Sequence, residues 1–501
     1  MIKDRSEKNN MINATTVVSR RAWLTLAILS STLLTVFFSE TMLLPAIPEI
    51  IDDLDISYGT AAWIFSAYLI VAAVMTPVAG RLSDLYGKKK VLLTLLVIYI
   101  TGLIAGGFAD NITFLLISRV IQGVGLAAVP AAFSLLRDTF PPAKLSIAVG
   151  VFGSAYSAGS VVGLLVGASI IQSFGWHATF LAIIPFSIVV TLLIARFVKE
   201  YNVPNLSNNS KTQGDVSEKK GRPFSIDIKG IVTLSVTIAS FLIALTIIQI
   251  GVNNENILQI AGAFIISAIS LSIFVVIERR AIPPFVNLRL LRDKILLPSF
   301  ILLISTGIAM FMIYPTIVQL VRSPIPSGFG GDSIDAANVQ LPFMVSFLVF
   351  ASITPFIINK IGSIKPAIIG GIISLFGTFG LLMFHSTEFV VSVNLAIIAI
   401  GLSLTMTTTW NIVVSSSPRE FTGISVGIGA LLLFIGMAIG PALAGVYMAD
   451  HENIGTEESY PSSQSYNLVF STAVLLSAVS IAFAFILRKT MYATVPAKTS
   501  D

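Results

Sequence analysis

The apolar residues of this chain fall in long, uninterrupted blocks, and no other feature of the sequence limits the possible folds as strongly. Fourteen blocks can be drawn, the first at 22–47 and the last at 467–487, each roughly 20 residues or longer and separated from the next by a short polar break. About 20 apolar residues in a helix cross the ~30 Å hydrocarbon layer of a bilayer. The sequence therefore predicts an all-α polytopic membrane protein with 14 transmembrane helices. The 55% hydrophobic and 11% charged content agrees, since soluble chains carry about a quarter charged residues.

Several chemistries are excluded at once. The chain has no cysteine, which rules out thiolate catalysis, disulfides and Cys-ligated metal centres. Three histidines leave little for metal chemistry, and no metal or cofactor is expected. No P-loop, HExxH or paired-Cys pattern occurs, so ATP-driven transport by this chain alone and the common hydrolytic reactions lack their sequence support. An enzyme is not expected.

The basic residues set the topology, because Lys and Arg in short loops stay cytoplasmic. With fourteen spans, all but two of the 31 Lys and Arg fall on one side together with both termini. The exceptions are Arg322, in a loop on the other side, and Arg119, inside a span. Acids such as Glu49, Asp52, Asp53, Asp332 and Asp335 fall on the outer side. The net charge of +5 thus reflects topology and contact with anionic lipid rather than nucleic acid. The expectation is a multi-pass protein of the plasma membrane with cytoplasmic termini, functioning as a monomer.

Loop composition divides the chain further. A cytoplasmic tail (1–21) precedes a six-helix half (22–198). A polar Asn-, Ser- and Lys-rich linker (199–229) leads to two inserted helices (230–277). A loop (278–295) containing Pro283 and Pro284, a second six-helix half (296–487) and a tail (488–501) follow. An internal repeat supports this division. Asp84-Leu85-Tyr86-Gly87 after the second span has a counterpart in Asn359-Lys360-Ile361-Gly362 after the second of the last six. Gly159, Gly163 and Gly167 of the fifth span correspond to Gly436, Gly440, Pro441 and Gly445. Repeated halves with a substrate site between them are a common build for secondary transporters.

Two ionisable residues lie inside the spans, Glu40 and Arg119. Each costs roughly 2.5 kcal/mol or more on insertion scales, and each is expected about 10 Å below the outer surface, so the two can share one cavity. Glu40 is a candidate proton carrier and a counter-charge for a cationic substrate; the alternative is a structural ion pair with Arg119. The segment Gly80 to Lys89, with Gly80, Asp84, Gly87, Lys88 and Lys89, reads as a structured cytoplasmic turn or a gating latch. Gly159, Gly163 and Gly167 recur every four residues and form one smooth stripe for close helix approach, either as plain packing or as a sliding contact between the halves. Gln122, Trp410 and Asn411 are candidate pocket-lining residues. Trp23, Trp63 and Trp176, near span ends, fit interfacial anchoring.

These residues resemble the major facilitator superfamily, and within it the 14-helix drug:proton antiporters, over nearly the whole chain. Gly80 to Lys89 resembles the superfamily's G-x-L-x-D-x-x-G-R-K loop, with lysines at both basic positions and Leu85 in place of a frequent arginine. Leu115 to Ala128 resembles the R-x-x-Q-G-x-G signature of the fourth helix, which the family links to proton coupling. The fifth-span stripe is similar to the antiporter signature, with Ser160 and Leu164 at its proline positions. Ser39-Glu40-Thr41 through Ile47-Pro48-Glu49 is similar to the first helix of Gram-positive tetracycline/proton antiporters. Asn359, however, stands where their repeated loop has an acid, and no acid stands near Ile435. The resemblance implies proton-coupled efflux of lipophilic or cationic small molecules by alternating access. The alternative within the same fold is a proton-linked carrier for one metabolite or lipid.

Overall fold

The computed structural model describes residues 18–200, 228–249, 256–281, 288–417, 422–448, 451–453 and 459–494. Helix α1 (Arg20–Thr41) starts where the Ser19 hydroxyl accepts the Ala22 amide at 3.2 Å, and it passes through a 3-10 turn at Leu44–Ala46 into a short helix α2 (Ile47–Asp53). Then come α3 (Tyr58–Tyr86), α4 (Lys88–Gly107), α5 (Ile112–Leu126), α6 (Ala128–Thr139), α7 (Pro142–Phe174) and α8 (His177–Phe197). Helices α9 (Ile228–Gln249) and α10 (Ile257–Arg280) follow. The last six are α11 (Leu296–Arg322), α12 (Ser333–Ile361), α13 (Lys365–Met383), α14 (Glu388–Ser416), α15 (Thr422–Met448) and α16 (Ser463–Thr494). A hairpin of β1 (His451–Asn453) and β2 (Ser459–Pro461) joins the last two.

Thirteen helical segments among the described residues are long and apolar enough to cross a membrane, and α3 adds the shorter apolar stretch Trp63–Thr76. The fourteen-span reading therefore corresponds to this bundle, with two differences in detail. The first span ends its regular helix at Thr41 rather than at residue 47. The fourth is two helices that meet at Ala127.

The internal repeat is visible in the backbone. Gly87 closes the α3–α4 turn at φ 97° and Gly362 closes α12–α13 at φ 93°, a region that favours glycine because it lacks a Cβ. Packing repeats as well: α1 lies on α7 in the first half and α11 on α15 in the second. The halves meet along two seams, α3 on α15 and α7 on α12, each pairing the second span of one half with the fifth of the other. Helix α9 packs on both α3 and α15, and α10 packs on α9.

The segment Gly80 to Lys89 is not an open loop. Helix α3 continues through Tyr86, Gly87 is the single break, and α4 begins at Lys88. Lys88 pairs with Asp138 at the end of α6, and Lys89 Nζ donates to the Ala195 carbonyl of α8 at 2.7 Å. Both lysines thus fasten the turn within the first half. The surroundings of Gly80 and the side chain of Asp84 fall outside what is described.

The glycine stripe also belongs to one half. A Cβ on Gly159 would collide with the backbone of Leu34, on Gly163 with Phe38, and on Gly167 with Met42, all on or just past α1. Gly436 and Gly440 hold α15 against Ile304 and Ile308 of α11 in the same way. The reading of the stripe as a sliding contact between the halves is therefore corrected to packing within a half. Removing the Cβ lets the two backbones approach closely enough for Thr41 Oγ1 to donate to the Ser160 carbonyl at 3.0 Å.

Candidate functional site

Glu40 sits in the last turn of α1, 1% exposed, and neither carboxylate oxygen has a hydrogen-bond partner. Arg119 on α5 is fully buried beside it. The guanidinium is held by other groups: Nε donates to the Ile64 carbonyl at 3.0 Å, Nη1 donates to Gln122 Oε1 at 2.8 Å, and the plane lies 4.2 Å over the Tyr68 ring. Gln122 Nε2 in turn donates to the Gly102 carbonyl at 3.2 Å. The sequence places Gln122 as pocket lining; the structure corrects it to a clamp that orients Arg119 between α4 and α5. An arginine locked by a carbonyl, an amide and a ring face keeps its direction, so its charge biases Glu40 without being neutralised by it.

The repeat clarifies this arrangement. Gly102 lies against Gln122, and at the equivalent contact Gly377 lies against Ile398. The same register places Leu395 where Arg119 stands, and both Leu395 and Ile398 are buried. The charged apparatus is thus confined to the first half, and the second half supplies apolar packing at the same positions.

Around Glu40 the structure gathers residues that the sequence reading did not select. Tyr68 carries the Arg119 guanidinium on its ring face, and Tyr156 packs on Phe37, three residues before Glu40 on α1. Tyr156 on α7 meets Phe37 edge-on at 4.1 Å between ring centroids and Phe347 of α12 at 6.0 Å. Phe343 and Phe347 lie with near-parallel rings at 6.1 Å, and Tyr314 of α11 meets Phe343 at 5.1 Å. The hydroxyls of Tyr156 and Tyr314 approach the sulfurs of Met310 and Met344 at 3.9 and 3.8 Å. An aromatic and methionine cluster from α1, α7, α11 and α12 therefore spans the two halves next to an unpaired carboxylate. The signal was present in the sequence as Met310/Tyr314 and Phe343/Phe347, i,i+4 pairs facing one direction. Such pairs in a membrane span are indistinguishable from ordinary core until the facing helix is known.

The remaining candidates lie elsewhere. Trp410 packs toward Gly429 of α15 and Asn411 is exposed, both far down α14 toward the end of the bundle that carries the lysines. Trp176 is 2% exposed, stacks on His177 at 3.5 Å and donates to Asp53 Oδ2 at 3.0 Å, so it is a core residue and not an interfacial anchor. Trp63 donates to Thr246 of α9 at 2.7 Å. Trp23 is 44% exposed near the start of α1.

At the acidic end the halves are joined. Arg322, at the end of α11, donates from Nη1 to Glu49 Oε1 of α2 at 3.1 Å and to the Pro45 carbonyl at 3.2 Å. Gln172 of α7 donates to Asp332 at the start of α12 at 3.2 Å. Ser66 donates to the Ala438 carbonyl across the α3–α15 seam at 2.9 Å.

Repeated helical halves with a buried charge beside the contact between them are a build shared by many secondary transporters. The profile of the Major Facilitator Superfamily matches residues 29–441, and the chain belongs to that superfamily. It is 27% identical over 87% of its length to the multidrug transporter protein MdtP of Bacillus subtilis (strain 168), of which it covers 77%. It is 26% identical over 86% of its length to the tetracenomycin C resistance and export protein of Streptomyces glaucescens, covering 76% of it. The fold matches the crystal structure of the human organic anion transporter MFSD10 (TETRAN) with a TM-score of 0.63 at 14% identity, over 94% of this chain and all of that one. The protein is a multi-pass membrane transporter and not an enzyme.

Proposed function

We propose that this transporter exports lipophilic cations in exchange for protons, with Glu40 as the group that both bind. The observation that carries this reading is the unpartnered Glu40 carboxylate three residues along α1 from Phe37, whose ring joins those of Tyr156, Phe347, Phe343 and Tyr314. A buried carboxylate without hydrogen bonds is costly in its charged form, so it favours either a proton or a bound cation. Ring faces favour a cation that has left water. Thioethers and rings also adapt to ligands of different outline, which accords with the multidrug-transport and resistance-and-export names of the relatives.

Coupling then follows from competition. Protonation of Glu40 removes the counter-charge and releases the cation; cation binding expels the proton. Rocking of the two halves about the α3–α15 and α7–α12 seams exposes the site to each side in turn. The end that carries Lys88, Lys89 and Lys365 is the cytoplasmic one in this proposal, both termini lie there, and the membrane is the plasma membrane. The six, two and six division of the spans, and action as a monomer, belong to the same proposal.

The test uses purified protein in acid-loaded proteoliposomes. Internal pH is followed while lipophilic cations, tetracyclines and neutral drugs are added. Proton movement evoked by several cations supports the reading; a response to neutral compounds alone, or none from folded protein, overturns it.

A further inference from the structure

The two seams between the halves differ in what covers them. Along α3–α15, α9 packs against both helices, with Leu242 and Ala244 fully buried and Trp63 bonded to Thr246. Behind it, α10 is fixed to α9 by Ser267 and Ser270, which donate to the Thr237 and Thr233 carbonyls at 2.9 and 2.7 Å. Its far face turns Ile265, Ile266 and Ile269 outward, each more than half exposed. Two layers of helix therefore separate this seam from the bilayer.

Along α7–α12, among the described residues, no other spanning helix packs substantially against both partners. The 3-10 turn Leu44–Ala46 touches both, but only at the acidic end. Val151, Val345, Val349 and Ile353 lie exposed on these two helices. Toward the basic end the contact is thin. A Cβ on Gly150 would meet nothing nearer than Pro355 Cγ at 3.8 Å, and one on Gly153 would meet nothing within 4 Å. Three residues further along α7 stands Tyr156, the first ring of the cluster that leads through Phe347 and Phe37 toward Glu40.

We propose that lipophilic cations reach Glu40 laterally, from the leaflet at the basic end, through the Gly150–Pro355 crevice of the α7–α12 seam, while α9 and α10 close the α3–α15 seam to them. The inference rests on the reading of the substrates as lipophilic cations. Up to Tyr156 the two helices present glycine, proline, apolar side chains and the hydroxyls of Ser154 and Ser352, each already bonded to a carbonyl of its own helix, so a cation partitioned in the acyl layer meets ring faces before it meets Glu40 and is not required to pass first through water.

The counterpart of Gly150 in the repeat is Gly427 on α15, where a Cβ also meets nothing within 4 Å. This gives a matched pair of variants, Gly150→Phe in the open seam and Gly427→Phe in the covered one. Transport of tetraphenylphosphonium by the full chain in proteoliposomes is measured for both. In parallel, a photoreactive arylphosphonium is crosslinked to the wild-type protein and the labelled peptides are mapped. The expected result is a KM raised roughly fivefold or more, with kcat little changed, in Gly150→Phe only, and label on α7 and α12 near residues 150–156 and 347–355. Equal KM changes in the two variants, or label on α3, α9 or α15, overturn the route. If the wild type does not move tetraphenylphosphonium, the proposed function fails instead, and the label map still decides whether the seam admits such a cation.

Discussion

Glu40 and Arg119 share one buried compartment without a hydrogen bond between them: the arginine is held by Ile64, Gln122 and Tyr68, and both carboxylate oxygens of Glu40 are left unpartnered. A closed ion pair would have fixed the carboxylate as charged scaffold. The open arrangement leaves it able to exchange partners.

Glu40→Gln keeps the shape and removes the charge. Proton movement linked to tetraphenylphosphonium is expected to disappear while the protein stays inserted and folded, because glutamine matches the protonated carboxyl in shape and charge. Retention of coupled transport in this variant would rule out the coupling role.

Arg119→Met is expected to destabilise the fold by about 2 kcal/mol, since it leaves the Gln122 amide oxygen buried without a donor and removes the cation from the Tyr68 ring face. A change within about 0.5 kcal/mol in an unfolding titration would show that the clamp is not structural. Arg119→Lys retains the charge but not the fork and the stacking plane, and is expected to fall between the two.

Gly159→Val and Gly163→Val place side chains where Leu34 and Phe38 backbone already lies. Both are expected to lower the yield of folded protein sharply, by a cost of several kcal/mol of the kind seen for overpacking, roughly 1–3 per site and more where only backbone can yield. Gly153→Ala, on the same helix in open space, is expected to be nearly neutral. Comparing melting temperatures across the three tests the packing assignment, and equal effects would refute it.

Arg322→Gln removes the charge that joins α11 to α2 at the acidic end. The expected outcome is a wider separation between spin labels placed by Asp52→Cys and Ile325→Cys, two exposed positions in opposite halves. The chain has no native cysteine to interfere. An unchanged distance distribution would mean that the pair does not restrain the two halves.

Much of the bundle was legible in advance because its causes are local. A block of apolar residues reports a span regardless of its neighbours, and the bias of Lys and Arg reports the alternation of loops. Glu40 and Arg119 stand out because charge in an apolar run needs a reason. The break at Ala127 and the early end of α1 at Thr41 were not legible, since they arise from how α5, α6 and the Leu44–Ala46 turn fit against other helices. The same limit hid Tyr156, Tyr314, Phe343 and Phe347: an aromatic in a span looks like lipid-facing or core surface until the register of α7 against α12 is known. Arg322 is conspicuous as the one basic residue in a loop at the acidic end, and the structure gives the cause in Glu49 on the opposite half.

The rings and thioethers beside Glu40 have a consequence for the range of compounds that such a protein can handle. Under the proposed function, rings and sulfurs would impose few fixed directions on a guest, so the site would have little means of checking where a compound's polar groups lie. What it would weigh is how readily a positively charged molecule leaves water for oil. The susceptibility pattern of cells that carry this protein should then sort by oil–water partition coefficient among singly charged compounds rather than by drug family, and chemically unrelated dyes and disinfectants of equal lipophilicity should be tolerated alike.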